Sequence, residues 1–205
     1  MATLPRAFYA RDAETVAPAL LGKLLVHRQQ DGTLRRARIT ETEAYVGEHD
    51  LASHSSKGRT ARNEAMFGPP GRAYVYLIYG MHHCLNVVTG KTGDGQAVLL
   101  RAAEPLDGWD ADLRGPGRLA RAFGLTREHD KADLVRGALR VHDGPAPARV
   151  EATARIGVDY ADDWANAPLR FHDAASSHVS KRPAAKARTT GRHRKARPRT
   201  PDGAP

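Results

Sequence analysis

The sequence has little of what would place the chain in an oxidising compartment or in a membrane. It contains one cysteine, Cys84, which cannot form a disulfide within the chain, so a reducing environment is expected. It has no run of eighteen apolar residues, which excludes a membrane-spanning helix. The N-terminus lacks a basic segment followed by an apolar stretch, so we expect no secretory signal. These absences predict a soluble, cytoplasmic protein that does not contact a membrane.

Negative charge is scarce at one end of the chain only. The sequence has 32 Lys and Arg residues against 23 Asp and Glu, a formal net charge of +9. Residues 181–205 carry nine of the basic residues and one acidic residue, so residues 1–180 are nearly neutral. A ribosomal type of chain, whose basic residues are spread along its length, is therefore excluded. Residues 174–205 contain one hydrophobic residue larger than alanine, so we expect a folded domain at residues 1–173 and a disordered basic tail after it.

The apolar segments are separated by turn signals in a pattern that predicts one domain of the α+β class. Residues 12–21 favour a short helix that ends at Gly22, and GPGRLARAFGL favours a second helix that begins near Pro116. The strand candidates are KLLVHRQQ and TLRRARITETEAY around a two-residue Asp31-Gly32 turn, AYVYLIYG and HHCLNVVTG around a tip at Tyr79 to Met81, QAVLLRAAEP, and LRVHD. Strands joined by short turns favour a mostly antiparallel sheet.

Glu41 and Glu43 lie two positions apart on a predicted strand, so both are expected on one face with Ala37, Ile39 and Tyr45. Two residues along a strand span ~6.6 Å, which is close to the carboxylate separation of an inverting glycoside hydrolase. Such a pair could activate a water between them, or the two acids could be solvated at the end of a strand. Because the face is otherwise apolar, a carboxylate there needs a polar partner or a catalytic role.

Arg101 interrupts a run of small and apolar residues, AVLLRAAE, that otherwise indicates a buried strand. A buried charge is costly unless an opposite charge pairs with it, so a carboxylate is expected across the sheet from Arg101. Glu43 or Glu41 is the natural partner, whether the pair is structural or functional.

Polar and aromatic side chains occupy unusual places around the second predicted hairpin. Tyr74 and Tyr76 are expected on one face of their strand, while Val75 points the other way. Asn86 lies within the apolar return strand and needs hydrogen-bond partners there. Tyr79 at the tip exposes a large ring, and is either a partly packed surface tyrosine or a wedge that enters between stacked bases.

Two other candidate chemistries are excluded by local geometry. His82, His83 and Cys84 are consecutive on a predicted strand, so they face alternate sides and cannot hold one metal ion together. The HSS sequence at His54 lacks the strand–turn–helix context of a nucleophilic serine. We therefore expect no metal and no cofactor.

The segments that hold these residues resemble one family. ITETEAYVGEHDLASHSSKGRTARNEAMFGPPGRAYVYLIYGMHHCLNV, followed by VLLRAAEPL, is similar to the alkyladenine (3-methyladenine) DNA glycosylases, and the similarity continues through GPGRLARAFGL and RIGVDYADDWANAPLRF. It covers about residues 5–172, and ETEAY, the YGM tip and LLRAAEPL are specific in combination. The resemblance implies a curved, mostly antiparallel sheet like the barrel of formyltransferase C-terminal domains, with surrounding helices and a protruding hairpin.

The resemblance also implies a role for each candidate side chain. Glu43 is the catalytic carboxylate that positions and deprotonates the attacking water, and Arg101 helps to hold that water and the nucleotide. The other implied roles are Tyr45, His54 and Tyr76 as walls of the base-binding pocket, Asn86 as the amide that excludes guanine, and Tyr79 with Met81 as the DNA-intercalating residues. Glu41 inherits no catalytic role, so a mechanism with one carboxylate replaces one with two.

The implied function is base-excision repair. We expect a monomeric enzyme that acts on double-stranded DNA containing damaged purines, and that is associated with the nucleoid of a bacterium or is otherwise intracellular with DNA. It is expected to release 3-methyladenine, 7-methylguanine, hypoxanthine and ethenoadenine without lyase activity, while the basic tail binds the phosphate backbone. Two alternatives stay open: a non-catalytic nucleic-acid-binding module, and the same fold acting on another acyl or sugar substrate.

Overall fold

The chain folds into short helices and a larger set of β-strands, and the computed structural model describes residues 1–78 and 80–180. Within these residues the helices are α1 (Arg6–Tyr9), α2 (Ala13–Ala19) and α3 (Pro116–Ala122). The strands are β1 (Leu24–Arg28), β2 (Leu34–Tyr45), β3 (Ala73–Ile78), β4 (His82–Thr89), β5 (Gln96–Pro105), β6 (Leu139–His142), β7 (Val150–Thr153) and β8 (Arg170–Asp173). Tyr79 and the basic residues 181–205 lie outside the described part of the chain.

The described strands form one sheet in the order β3-β4-β5-β2-β1-β6, in which β8 also pairs with β2 and β7. Every pairing is antiparallel, and the sheet curls into a half-barrel. The prediction of one α+β domain with a curved antiparallel sheet is confirmed. No described helix has both the length and the apolar character needed to cross a bilayer.

The two faces of the sheet are covered differently. Side chains of the three helices pack with one face to form the main core, whose members include Val75. Tyr74 and Tyr76 belong instead to a smaller cluster on the other face, together with Met66 and Leu99. The predicted alternation along β3 is therefore confirmed, and it places the tyrosines on the face away from the helices.

An irregularity in β2 decides where the two glutamates point. The register of β2 against β5 shifts on both sides of Glu41, which is the signature of a β-bulge. Ala37 and Ile39 before the bulge lie in the main core, and so does Ala44 after it. Glu43 and Glu41 therefore face the opposite side from Ala37 and Ile39. The prediction that all four share one face is wrong, because the extra residue of the bulge reverses the alternation.

The turn between β1 and β2 is one residue longer than predicted. The Gln29 N–H donates to the Thr33 carbonyl at 2.8 Å, and the Gly32 N–H donates to the Gln29 carbonyl at 3.0 Å. Residues 30–32 therefore form a three-residue loop, in which Gly32 takes the left-handed conformation that closes such loops, with φ of 84°. The Asp31 carboxylate accepts from the Thr33 N–H at 2.9 Å, which holds Asp31 within the loop.

Gly22 follows α2, where the sequence predicts the end of the helix. Comparing it with Gly32 separates the cost of a steric contact from the cost of backbone strain. Gly22 and Gly32 have nearly equal φ values, 81° and 84°, but an added Cβ at Gly22 overlaps the Pro145 carbonyl while one at Gly32 meets nothing within 4 Å. Both alanine variants carry the same left-handed strain, so we expect Gly22→Ala to lower the free energy of unfolding by about 2 kcal/mol more than Gly32→Ala. Urea unfolding of the two variants measures the difference, and equal losses would contradict the contact with Pro145.

Residues 174–180 pack against the folded domain, although the sequence alone assigns them to the tail. The Ala174 N–H donates to the Arg149 carbonyl at 3.0 Å. Further along, the Thr40 hydroxyl donates to the His178 carbonyl at 2.5 Å, and Ser180 is buried. We refer to residues 174–180 as the C-terminal segment. It brings Ser180 beside the charged side chains described next.

Candidate active site

Glu43 lies on β2 immediately after the bulge, and its carboxylate is fully buried. Three groups from different parts of the chain donate hydrogen bonds to it. The Tyr45 hydroxyl donates to Oε2 at 3.1 Å, the Arg101 Nη1 donates to the same oxygen at 3.1 Å, and the Ile156 N–H donates to Oε1 at 2.8 Å. A carboxylate held by three donors has a fixed orientation, which a general base requires.

Arg101 is paired with both carboxylates that the sequence offers as partners. Its Nε donates to Glu41 at 3.0 Å, while its Nη1 donates to Glu43. Burial lowers the pKa of the Arg101 guanidinium, but Glu43 and Glu41 outweigh that effect and raise it above its ordinary value. The predicted buried ion pair is confirmed, and it joins both glutamates through one cation.

Glu41 is also fully buried, so the interpretation of the two acids as solvated is wrong. Its second cationic partner is Arg170 on β8, whose Nε donates to it at 2.6 Å. Burial raises the pKa of the Glu41 carboxyl, but Arg101 and the hydrogen bonds from Ser180 and Arg170 outweigh burial, so the pKa lies below its ordinary value. The side chains of Glu43, Arg101, Glu41 and Arg170 thus form a row of ion pairs in which acidic and basic residues alternate, with a formal net charge of zero.

A cavity of about 190 Å³ opens beside this charged network. Its lining includes five of the residues singled out in the sequence, namely Tyr45, His54, Tyr76, Asn86 and Arg101. Glu43 does not line the cavity itself, but its donors Tyr45, Arg101 and Ile156 all do. The carboxylate thus lies one hydrogen bond behind the cavity wall.

Aromatic rings form one side of the cavity. Tyr74 and Tyr76 are stacked with centroids 5.3 Å apart, and His54 meets the Tyr76 ring edge-on at 4.5 Å. The Tyr74 hydroxyl and His54 Nδ1 are 2.8 Å apart, within hydrogen-bond distance. Burial raises the pKa of the Tyr76 phenol, so its ring is neutral, and the ring lines the cavity.

Asn86 on β4 lies at the cavity wall and is nearly fully buried. Its Nδ2 donates to the Tyr74 carbonyl at 3.1 Å, which satisfies the expectation that a buried amide finds a partner. The same hydrogen bond fixes the amide plane relative to the tyrosine pair. A planar ligand in the cavity therefore meets a polar group of defined orientation.

The sequence reasoning missed Arg155, which supports Tyr45. The Arg155 guanidinium lies 4.8 Å from the centroid of the Tyr45 ring and forms two hydrogen bonds with Asp50, at 2.5 and 2.8 Å. Both members of this pair are fully buried. Arg155 also donates to the Ala44 carbonyl at 2.9 Å. An arginine beside the apolar residues of RIGV was the available signal, because a buried charge requires a partner.

Tyr160 was also missed. It lines the cavity, yet its side chain is among the most exposed large apolar groups of the described residues. Its signal in the sequence was weak, because an exposed tyrosine in a loop is common.

Met81, at the turn between β3 and β4, is also largely exposed, and it does not line this cavity. Tyr79 lies outside the described residues. In residues 1–78 and 80–180, no group of three or more His, Cys, Asp or Glu side chains could hold a metal ion.

His54 offers a test of the electrostatics at the cavity. His54 is partly exposed. The burial of the rest of its side chain lowers the pKa of the imidazole, and the positive charge of Arg62 lowers it further. We expect the imidazole to titrate below the usual value of about 6.5. The neutral imidazole therefore stabilises the folded state above a pH of about 6.5, and this stabilisation is lost as the pH falls through the folded-state pKa.

NMR titration of the His54 ring measures this pKa directly. Arg62→Met removes a nearby positive charge and should raise the pKa. Arg59→Met, on the same loop but paired with Glu64 at 3.1 Å, is the matched control and should leave the pKa unchanged. A His54 that titrates at or above the usual value would contradict the described environment.

The buried carboxylate and the aromatic cavity together define a class of enzyme. A carboxylate buried behind the wall of an aromatic cavity fits an enzyme that binds a planar ring and breaks a bond to it, as the base-excising glycosylases do. The chain belongs to the methylpurine-DNA glycosylase family, because the family model described as Methylpurine-DNA glycosylase (MPG) matches residues 7–177.

Curated relatives agree with the family assignment. A protein of Myxococcus xanthus is 56% identical over 184 residues, which cover 88% of this chain and 94% of that protein. A protein of Anaeromyxobacter dehalogenans is 57% identical over 183 residues, covering 88% and 86%. A third, of Methanocella arvoryzae, is 51% identical over 196 residues, covering 89% and 98%. Each of the three carries the name "Putative 3-methyladenine DNA glycosylase".

Proposed function

We propose that the protein is a monofunctional DNA glycosylase that extrudes a damaged purine nucleotide from duplex DNA and hydrolyses its N-glycosidic bond. The observation that carries the proposal is the buried Glu43 carboxylate, held by three donors directly behind an aromatic cavity. The family assignment supplies the substrate class, an N-glycosidic bond in DNA. The enzyme acts as a monomer.

Access to the bond requires the nucleotide to leave the base stack. Extrusion costs a few kcal/mol, and it costs least for damaged or mismatched bases. The extruded purine enters the cavity between the rings of Tyr45, Tyr76 and His54. Alkylation at N3 or N7 gives the purine a positive charge, and contact with electron-rich rings favours such a cation by about 0.5–2 kcal/mol.

Hydrolysis then needs one acid–base group. Glu43 accepts a proton from a water molecule as the water oxygen attacks C1′ of the sugar, and the electron pair of the C1′–N bond leaves with the purine. A purine alkylated at N3 or N7 departs as a neutral base, so its departure requires no proton. Hypoxanthine and ethenoadenine are neutral in DNA, so each takes up a proton from solvent water as it departs. Arg101 donates to the Glu43 carboxylate and so holds the orientation in which it accepts the proton. A positioned general base contributes on the order of 10²–10⁴-fold to the rate.

The substrates we propose are alkylated or deaminated purines, namely 3-methyladenine, 7-methylguanine, hypoxanthine and ethenoadenine. The Asn86 amide is held against the Tyr74 carbonyl, where it crowds the exocyclic amino group of an undamaged guanine. Lyase activity requires an amine nucleophile, and no lysine is among the cavity-lining residues in the described part of the chain. The product is therefore a free base and an intact abasic strand.

Contacts with DNA outside the cavity complete the proposal. Tyr79, with Met81 beside it, fills the space left by the extruded base, on a hairpin that protrudes from a barrel like that of formyltransferase C-terminal domains. A side chain stacked in the duplex offsets part of the extrusion cost. The tail of nine cations in residues 181–205 binds phosphates without reading sequence, so its contribution falls steeply with salt.

Base release from synthetic duplexes tests the proposed function. Each duplex carries one of the four lesions, and the free base is separated and quantified under single-turnover conditions. We expect release of 3-methyladenine and 7-methylguanine, an intact abasic strand, and no release from undamaged DNA. If the protein binds these duplexes but releases none of the four bases, it is a non-catalytic binding module and the proposal is wrong.

A further inference from the structure

Glu41 takes no part in the proposed chemistry, yet it is the most densely bonded carboxylate of the charged network. Four hydrogen bonds reach it within the described residues. The donors are Arg101 Nε at 3.0 Å, Arg170 Nε at 2.6 Å, the Ser180 N–H at 2.5 Å and the Ser180 hydroxyl at 2.7 Å. The Glu41 side chain has no exposed surface and does not line the cavity. The cost of removing a carboxylate from water offsets much of the stability gained from its ion pairs. Stability alone therefore does not account for this arrangement.

The arrangement fixes the Arg101 guanidinium at every nitrogen. Nε donates to Glu41, Nη1 donates to Glu43, and Nη2 donates to the Ser180 hydroxyl at 3.3 Å. A planar guanidinium that is held at three nitrogens can neither rotate nor slide in its plane. Glu41 and Ser180 therefore determine where Nη1 lies, and Nη1 is one of the three donors that orient Glu43.

We propose that Glu41 and Ser180 are positioning residues that hold Arg101 in the orientation that aims the Glu43 carboxylate at the attacking water. Neither residue touches the substrate. The inference rests on the proposed function, because it assigns Glu43 as the base. It also gives the C-terminal segment a role in the chemistry, since Ser180 reaches the network from that segment.

The position of Ser180 in the chain adds a physical coupling. The C-terminal segment is attached to β2 at two adjacent residues, through the His178 carbonyl on Thr40 and through Ser180 on Glu41. The next residue in the sequence is Lys181, where the basic stretch begins. The residue that immediately precedes the basic stretch thus bonds directly to Arg101.

A shift of the pH–rate profile separates positioning from a merely structural role. The titratable and charged groups around Glu43 are Glu41 and Tyr45 on β2, Arg101 on β5, Tyr76 and Cys84 on the β3–β4 pair, and Arg155 after β7. Of these, Glu41 is the other carboxylate, and it shares Arg101 with Glu43. Glu41→Gln therefore removes one of the two negative charges that Arg101 pairs with, and it changes the electrostatics of the site without touching the cavity.

The experiment compares Glu41→Gln and Ser180→Ala with the wild type in full-length protein. The matched control is Ser177→Ala, an exposed serine of the same segment. Single-turnover release of 7-methylguanine is measured from pH 5 to 9, and lesion-duplex affinity and thermal unfolding are measured beside it. For Ser180→Ala we expect about a tenfold slower release with unchanged affinity, the loss typical of one hydrogen bond to a charged group.

For Glu41→Gln we expect release to slow by on the order of 10²-fold, because a misplaced catalytic group loses alignment. The acidic limb of its pH–rate profile should move to lower pH, because a neighbouring negative charge is removed. Ser177→Ala should match the wild type. The inference is overturned if both test variants release base at the wild-type rate, or if their losses equal the loss of folded protein while the acidic limb stays in place. Wild-type protein that releases no base overturns the proposed function, and this inference with it.

Discussion

Glu43→Gln is expected to abolish measurable base release while the variant still binds lesion-containing duplex. Glutamine keeps the shape of the side chain and can still accept from the Ile156 N–H, so the cavity wall remains in place. It cannot take a proton from water, which removes a contribution on the order of 10²–10⁴-fold. Single-turnover release and equilibrium binding, measured on the same duplex, separate the loss of chemistry from a loss of recognition.

The control for this variant is Glu104→Gln on β5. Glu104 is bonded to Arg38 in a partly exposed pair away from the cavity, so its charge can be removed without touching the network. Release by Glu104→Gln should equal that of the wild type. If Glu43→Gln still released base at close to the wild-type rate, another group would have to activate the water, and the assignment of Glu43 as the base would be wrong.

Arg101→Met is expected to cause a large loss of stability. It leaves Glu43 buried without its ion-pair partner and Glu41 with one cation instead of two. Removing one partner of a buried ion pair lowers the free energy of unfolding by about 3–5 kcal/mol. Arg36→Met is the matched control, because Arg36 and Asp107 form an exposed pair, for which the loss is at most about 1 kcal/mol.

The effect of Arg101→Met should also depend on pH. Because the pKa of Glu41 lies below its ordinary value in the fold, its stabilising contribution is present above the ordinary pKa and is lost as the pH falls through the folded-state value. The difference between wild type and variant in urea unfolding should therefore narrow as the pH is lowered towards that range. A difference that stays constant with pH would mean that the loss comes from packing and not from charge.

Features that depend on local pattern were predictable from the sequence. The helix that begins at Pro116 and ends before Gly124 follows from residues at its two ends. The pairing of Arg101 follows from one rule, that a charge inside a buried strand needs an opposite charge. The placement of Tyr74 and Tyr76 on one face follows from the alternation of a regular strand.

Features that depend on a break in the pattern or on distant residues were not predictable. The bulge at Glu41 adds one residue to one strand, and a strict alternation cannot register it. The Arg155–Asp50 pair joins positions 105 residues apart, and the Ser180–Glu41 bonds join positions 139 apart. Low hydrophobicity made the C-terminal segment look disordered, because a count of apolar residues does not register hydrogen bonds to a buried carboxylate.

The candidate site was identified mainly through the family resemblance. The structure brings Tyr45, His54, Tyr76, Asn86 and Arg101 to one cavity, and the roles that the resemblance implies for them stay predictions. Periodicity alone could not have joined His54, which lies in a short 3₁₀ turn, to strands elsewhere in the sheet. The arrangement of Glu43 behind the wall, and not on its surface, follows from its hydrogen bonds and is not visible in the motif.

The bulge in β2 has a consequence for how such a protein can adapt. Before the bulge, Ala37 and Ile39 point into the main core, whereas Glu41 at the bulge and Glu43 after it are buried on the opposite face of the sheet. Substitutions at Ala37 or Ile39 therefore act on the main core, and substitutions at Tyr45 act on the cavity and on the two smaller clusters that Tyr45 packs against. One strand thus serves the main core before the bulge and the candidate site after it.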